Sequence, residues 1–303
     1  MIPFVRDMAF DYGCAQQVTP LIRRVVAPNA GPFTHTGTGA HIVGHGQVAV
    51  IDPGPNLDSH LEAILRATSG ETITHIFVTH GHLDHSPLAR PLAELTGATI
   101  FAGPPRRLSA HGDDRLEAGD DLTFRPDVEL IDRALFSRRG WTIEAMATPG
   151  HTSDHYAFAL WEENALFPGD CVMGWSTSVV SPPDGDMADY LASLEKIRAR
   201  RFDLLLPAHG PPIDDVGPFL DAYIGHRLVR ERQILEALRR MDVATVRLLV
   251  EEVYAGLDRR LRPAAAHSVL SHLIKLADEG LVETSGPIAF GTVFRPARAR
   301  RAA

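Results

Sequence analysis

The chain is poor in cysteine, has no long uncharged apolar run and shows no internal repeat, and each shortage removes a class of protein. Only Cys14 and Cys171 occur among 303 residues, so neither a disulfide framework nor a thiolate metal site is expected. The opening residues MIPFVRDMAF place Arg6 and Asp7 where a signal peptide needs an apolar core. No later stretch reaches the length of a membrane span, so no membrane association is expected and the cytoplasm is the default location. Self-similarity at solenoid spacing is missing too. What remains, 45% hydrophobic and 22% charged residues, is ordinary globular composition in a chain able to bury a sizeable core.

Charge is unevenly spread. Through Asp221 there are 16 Lys and Arg against 29 Asp and Glu; from Ala222 onward the counts are 14 and 9. This shift suggests a boundary near residue 220, giving a first unit over 1–220, a second unit over 221–295 and a disordered tail over 296–303. The basic excess of the second unit includes scattered tail arginines rather than a stripe, which is a poor footprint for nucleic acid.

Short apolar runs at 40–43, 48–51, 73–78, 98–102, 141–147, 156–160, 165–167 and 202–206 read as strands. Helical spacing falls at 57–67, where Asp58 and Ser59 offer capping oxygens, at 87–95 before Gly97, and at 187–200. Strand–helix alternation predicts a layered α/β architecture. Beyond 220 the spacing predicts helices over 220–240, 244–254 and 264–279. A hairpin of 281–283 with 288–294 follows, completing a winged-helix pattern. Pro-Pro pairs at 104–105, 182–183 and 211–212 mark loops.

The chemistry concentrates in Thr79-His80-Gly81-His82-Leu83-Asp84-His85, which follows an apolar strand. Histidines one residue apart at a strand end can aim at one point. Asp84 and His85, at the start of the next helix, can reach an adjacent point. Neutral imidazole suits zinc, and a catalytic zinc keeps a position open for water. His151 after Pro149-Gly150, Asp170 after Pro168-Gly169 and His209 after Pro207-Ala208 each follow a strand at a bent loop. Together these segments supply five imidazoles and two carboxylates, enough for a dinuclear site.

The order His-x-His-x-Asp-His, then His, Asp and His, resembles the metallo-β-lactamase superfamily over roughly residues 30–220. The resemblance implies an αβ/βα sandwich with metals at one edge. It further implies His80, His82 and His151 on the first metal, Asp84, His85 and His209 on the second, and Asp170 bridging both. Within the superfamily the chain resembles the β-lactamase-like protein 2 group. The stretches that carry this are Gly169-Asp170-Cys171, the helix over 189–197, Pro207-Ala208-His209-Gly210-Pro211, and His226-Arg227 with Arg230-Glu231 and Ile234-Leu235, followed by the winged helix. Relatives in that group include zinc-dependent endoribonucleases acting on single-stranded RNA. Where relatives read Gly-Thr-Asn-x-Tyr near the site mouth, this chain reads Gly37-Thr38-Gly39-Ala40-His41, so it lacks the Asn amide and Tyr ring of that substrate contact and departs from the RNase pattern; His41 stands among the candidate substrate contacts.

The implied cofactor is a pair of Zn2+ ions, with Fe or Mn as substitutes. Two cations about 3.5–4 Å apart can share one water and lower its pKa toward neutrality, supplying a bridging hydroxide as nucleophile. Asp84 is the candidate catalytic residue, orienting that water or passing its proton. Asp52, in Asp52-Pro53-Gly54, either supports the metal loop or forms a turn. Trp175, Ser176 and Thr177 follow Asp170 in a loop rich in small residues and are candidate substrate contacts. Asp154 and His155 read equally as a solvent-facing turn, and Cys171 as a core residue. The expected substrate is an RNA phosphodiester or a small ester, thioester or lactam. The competing readings are an iron-dependent persulfide dioxygenase and a metal-responsive winged-helix DNA-binding regulator. His82 argues against a di-iron reductase, in whose family Glu stands at that place. The 264–279 helix, with Lys275 against Asp278 and Glu279, is a poor groove reader. It is expected to pack on the catalytic unit or to form a homodimer contact.

Overall fold

The computed structural model describes residues 2–105 and 119–297. Among them, seven strands form one sheet in chain order: β1 (Ala15–Gln17), β2 (Ile22–Val26), β3 (Gly39–Val43), β4 (Gln47–Ile51), β5 (Thr72–Phe77), β6 (Thr99–Ala102) and β7 (Val128–Glu129). Neighbours from β1 to β4 are antiparallel, and those from β4 to β7 parallel. Parallel neighbours need crossovers. Helices α1 (Asp58–Ala67) and α2 (Ala89–Thr96) lie on two of them, β4 to β5 and β5 to β6.

A second sheet holds β8 (Leu135–Arg138), β9 (Trp141–Ala147), β10 (Tyr156–Leu160), β11 (Ala165–Phe167) and β12 (Leu204–Leu205), in the order β12-β11-β10-β9-β8. It is antiparallel except for β11 with β12, which are joined through α3 (Met187–Arg200).

Side-chain alternation explains why the central strands are buried on both faces. In β10, Tyr156, Phe158 and Leu160 enter the core between the sheets, while Ala157 and Ala159 join the layer with α3. In β4, Ala49 and Ile51 face inward, and Val48 and Val50 meet Ala63 and Ile64 of α1. Two sheets flanked outside by helices make the αβ/βα sandwich expected from the residue pattern.

The C-terminal unit contains α4 (Val216–Met241), α5 (Val246–Val253), α6 (Arg262–Asp278) and the hairpin β13 (Val282–Thr284) with β14 (Phe294–Pro296). The expected boundary at 220–221 falls inside α4. Phe219, Leu220 and Tyr223 of this helix pack with the second sheet's outer layer, whereas Ile234, Ala237 and Leu238 pack in the winged-helix core. One rigid helix therefore belongs to both units.

Three local expectations need correction. Neither Asp58 nor Ser59 caps α1: Leu57 stands at its N-cap and no side chain bonds there. The second wing strand begins at Phe294 rather than 288, because Ala289 and Thr292 close a turn first. Pro296 pairs with Val282 and Ala297 N donates to Leu281 O, so order extends into the expected tail, whose residues 298–303 lie outside the described residues.

Candidate metal centre

Chain ends of β4, β5, β9, β11 and β12 meet at one edge of the sandwich. Asp52 directly follows β4, His80 lies three residues beyond β5, and His151, Asp170 and His209 follow β9, β11 and β12. The backbone allows this crowding at two glycines. Gly150 has φ +127°, and a Cβ there would stand 2.3 Å from Tyr190 N; at Gly169 (φ +52°) it would stand 2.7 Å from His155 Nε2. Any side chain would push a ligand loop away from the edge.

All seven expected ligand residues are brought together, each 7% exposed or less. One donor atom each from His80, His82 and His151 lies within 4.8 Å of the others, and so do those of Asp84, His85 and His209. A third such group, His80, His85 and Asp170, links the two. His80 Nε2 is 2.9 Å from His82 Nδ1 and 3.3 Å from His151 Nε2. His209 Nε2 is 3.3 Å from Asp84 Oδ2 and 3.4 Å from Asp170 Oδ1, and His85 Nε2 is 3.6 Å from each carboxylate. Two donors each about 2.1 Å from a tetrahedral ion stand about 3.4 Å apart, so these spacings suit shared ions. His85 Nε2, His209 Nε2 and Asp170 Oδ1 are buried and have no hydrogen-bond partner among the described residues. Such atoms are costly unless an ion satisfies them. The donor set fits a dinuclear metal site.

The outer hydrogen bonds decide which ring nitrogen faces inward. Asp52 Oδ1 accepts from Thr79 N (2.7 Å), and Oδ2 accepts from Thr79 Oγ1 (2.8 Å) and His85 Nδ1 (3.0 Å). With its own hydrogen committed to Asp52, Thr79 Oγ1 accepts from His80 Nδ1 at 3.0 Å. His151 Nδ1 donates to Val179 O (2.7 Å) and His209 Nδ1 to Gly37 O (3.4 Å). Four imidazoles thus present the Nε2 lone pair to the centre. His82 is reversed, with Nδ1 inward and Nε2 3.6 Å from Asp120 Oδ1.

Electrostatics point the same way. Burial opposes charge on His85, yet Asp84, Asp170 and Asp52 outweigh it and hold its pKa well above the ordinary value. Burial is likewise overcome at His209, where Asp170 and Asp84 raise the pKa to about 10. Against the same burial, His209 and His85 hold Asp170 well below the usual carboxylate range, and His85 and His209 do the same for Asp84. Burial and the surrounding histidines keep His80 neutral. The carboxylates demand positive charge, and a divalent cation can supply it.

Other expected contacts divide. His41 lies in β3, 2% exposed, with its ring 5.0 Å from Phe167. Burial, reinforced by Arg24, lowers its pKa to about 3. It is an intersheet core residue and not a contact at the site mouth, because β3 alternates His41 inward with Ala40 and Ile42 outward. Trp175, Ser176 and Thr177 are half-buried. Trp175 stacks on His35 at 4.8 Å and packs beside Gly210, next to His209. Cys171 is fully buried, and burial with the Asp170 charge raises its thiol to about 12, so it is no nucleophile.

Several supporting residues escaped the sequence reading. Asp154 Oδ2 accepts from Gly81 N (3.0 Å) and His155 Nε2 accepts from Asp170 N (3.3 Å), so both are buried braces rather than a solvent-facing turn. Asp120 had no local signal at all. Thr79 stood inside the motif, and its hydroxyl between a strand and a histidine is the one hint available.

The metallo-β-lactamase superfamily profile matches residues 40–209, and the β-lactamase-associated winged-helix profile matches 245–287. The chain belongs to the metallo-β-lactamase superfamily, whose members are generally hydrolases. A β-lactamase-like protein 2 homolog from Caenorhabditis elegans is 34% identical, covering 88% of each chain. An atrochrysone carboxyl ACP thioesterase from Pseudocercospora fijiensis is 32% identical over 88% of this chain and 78% of its own. Among solved structures, a β-lactamase domain protein from Burkholderia ambifaria shares the fold (TM-score 0.79, 20% identity, 98% of each chain). Among the described residues no helix is long and apolar enough to cross a membrane.

Proposed function

We propose that this protein is a dinuclear zinc hydrolase that cleaves an acyl bond, with a thioester or ester of a small or carrier-borne acyl group as substrate. The observation that carries this reading is the convergence of His85 Nε2, His209 Nε2 and Asp170 Oδ1, all buried and without a hydrogen-bond partner among the described residues, beside the His80, His82 and His151 cluster. Five imidazoles with two carboxylates suit zinc better than magnesium or calcium. His80, His82 and His151 would hold one ion, Asp84, His85 and His209 the other, and Asp170 both. When bound, such a pair supplies Lewis acidity toward the carbonyl and acidifies a water toward neutral pH.

The chain's own groups do the rest. Asp84 is held ionised, so it accepts a hydrogen bond from the attacking water, orients it and relays its proton to the leaving sulfur or oxygen. Asp52 and Thr79 lock His80 and His85 in the ligating tautomer. Trp175, with the half-buried residues after it, walls the entrance and limits access of bulk water.

The acyl substrate is favoured by the thioesterase named among the relatives and by the acidic first two-thirds of the chain, since contacts to phosphate dominate affinity for nucleic acid. A DNA-binding role for the winged helix has little support. Helix α6 buries Ala265, His267, Val269, Leu270, His272, Leu273 and Leu276, and Lys275 is paired with Glu231 at 2.9 Å and Glu279 at 2.7 Å.

The test is a hydrolysis panel on zinc-loaded protein: an S-acyl pantetheine, an aryl ester, a lactone, a β-lactam and single-stranded RNA, with His82→Ala as control. Thioester or ester turnover that His82→Ala abolishes is expected. Cleavage of RNA alone, or one iron per chain in protein purified without added metal, would overturn the reading.

A further inference from the structure

Helix α4 reaches back to the metal centre through Ser178. This buried residue lies eight positions after Asp170 and immediately before Val179, whose carbonyl fixes His151. Ser178 N donates to Tyr223 Oη at 2.7 Å, Ser178 Oγ donates to Asp170 O at 2.5 Å, and Arg227 donates from Nη2 to Ser178 O. Tyr223 Oη also donates to Ser176 O at 3.1 Å. Tyr223 and Arg227 sit one turn apart on α4, and both are buried, at 0% and 3% exposed. A second tie comes from α6, where His267 Nδ1 lies 2.6 Å from Ser181 Oγ.

The loop they hold has no ladder of its own, because residues 174–186 are neither helix nor strand. Left to itself, such a segment is free to shift. Here its carbonyls and N–H groups are pinned by side chains from the helix that continues into the winged-helix core. A ligand imidazole needs a fixed partner for its second nitrogen, and loss of such a partner weakens metal binding.

We propose that Tyr223 and Arg227 are positioning residues for the metal centre, holding the 174–181 loop so that Val179 O aligns His151 and Ser178 anchors the backbone of Asp170. The effect is lopsided. His85 is aligned by Asp52 and His209 by Gly37 O, both of which lie outside this loop in the chain. Through His151 the ion on His80, His82 and His151 therefore depends on α4 more than its neighbour, which the loop reaches only through Asp170. Helix α4, which continues into the winged-helix core, is by this route a structural part of the site.

This inference rests on the two-ion reading above. Full-length wild type, Tyr223→Phe and Arg227→Lys would be loaded with zinc and stripped stepwise with a chelator, the bound metal being counted by elemental analysis. Cobalt-loaded samples would be followed by visible absorption, and melting temperature measured alongside. Tyr223→Phe keeps the ring that packs against Phe219, so it serves if the arginine variant folds poorly. The expected result is one ion bound about 10–100-fold more weakly, with the second weakened less and the cobalt band of the more weakened site altered. Equal weakening of both ions in step with lost thermal stability, or wild-type affinity in both variants, would overturn the inference. A wild-type chain that holds only one ion would instead sink the two-ion reading on which it stands.

Discussion

His85 and Asp52, 33 residues apart in sequence, are joined by a 3.0 Å hydrogen bond that turns the His85 lone pair toward Asp84 and Asp170. The same carboxylate reaches His80 through the Thr79 hydroxyl. Asp52→Ala should therefore loosen both ions, more evenly than the α4 variants, with affinity falling about 10–100-fold. Chelator competition would measure it. Asp52→Asn should sit between wild type and Ala, since an amide oxygen placed where Oδ2 stands can keep two of the three bonds. Wild-type affinity in Asp52→Ala would reduce this residue to a turn former.

His82 touches one donor group, and Asp170 faces both. His82→Ala should leave about one ion per chain, Asp170→Ala fewer still, and neither variant should turn over substrate. Elemental analysis alongside a rate assay reads both effects. Full activity in metal-free Asp170→Ala would remove the metal centre from the chemistry.

Cys171 lies beside Asp170, but its thiol is buried and raised to about 12. Thiol reagents should modify exposed Cys14 in the native chain and spare Cys171 until it unfolds. Cys171→Ser is expected to keep its turnover number while losing some thermal stability. A large fall in rate with an unchanged melting curve would contradict this.

Far from the site, Arg200 donates to both oxygens of buried Glu144, at 2.7 and 2.8 Å. That pairing, helped by Trp161, depresses the Glu144 pKa below its ordinary 4.5. A depressed carboxylate contributes stability that is present above pH 4.5 and is lost as pH falls through the folded value. Glu144→Gln should cost about 1 kcal/mol near neutrality, a modest figure because the Arg200 side chain is 39% exposed to screening solvent. The gap between variant and wild type should close in acid denaturation curves below the carboxylate range. A gap that stays constant down to pH 3 would rule out the ion pair as its cause.

Much of this was legible in the chain itself. Three elements, 141–147, 156–160 and 165–167, match the observed strands residue for residue, and 187–200 matches α3. Their apolar runs are long or sharply bounded, so local pattern and tertiary demand agree. β2 (Ile22–Val26) was not anticipated, since Arg23 and Arg24 interrupt its apolar run. In place, Arg23 pairs with Glu71 at 2.7 Å, and Arg24 bonds Gln16 at 3.0 Å. His41 was misjudged for a related reason: a polar ring near a motif suggests a site, and only the strand's facing shows that it points into the core.

Sequence alone supplied the candidate donors: five histidines and two aspartates in loops that follow strands, most beside glycine or proline, because ligand chemistry and backbone bending are properties of residue type. Only the folded chain decided which nitrogen each imidazole presents, that Asp52 reaches both His80 and His85, and that a helix shared with the winged-helix unit bonds the loop behind His151. Those are matters of distance between segments far apart along the backbone, and packing of the two sheets and their helices sets them.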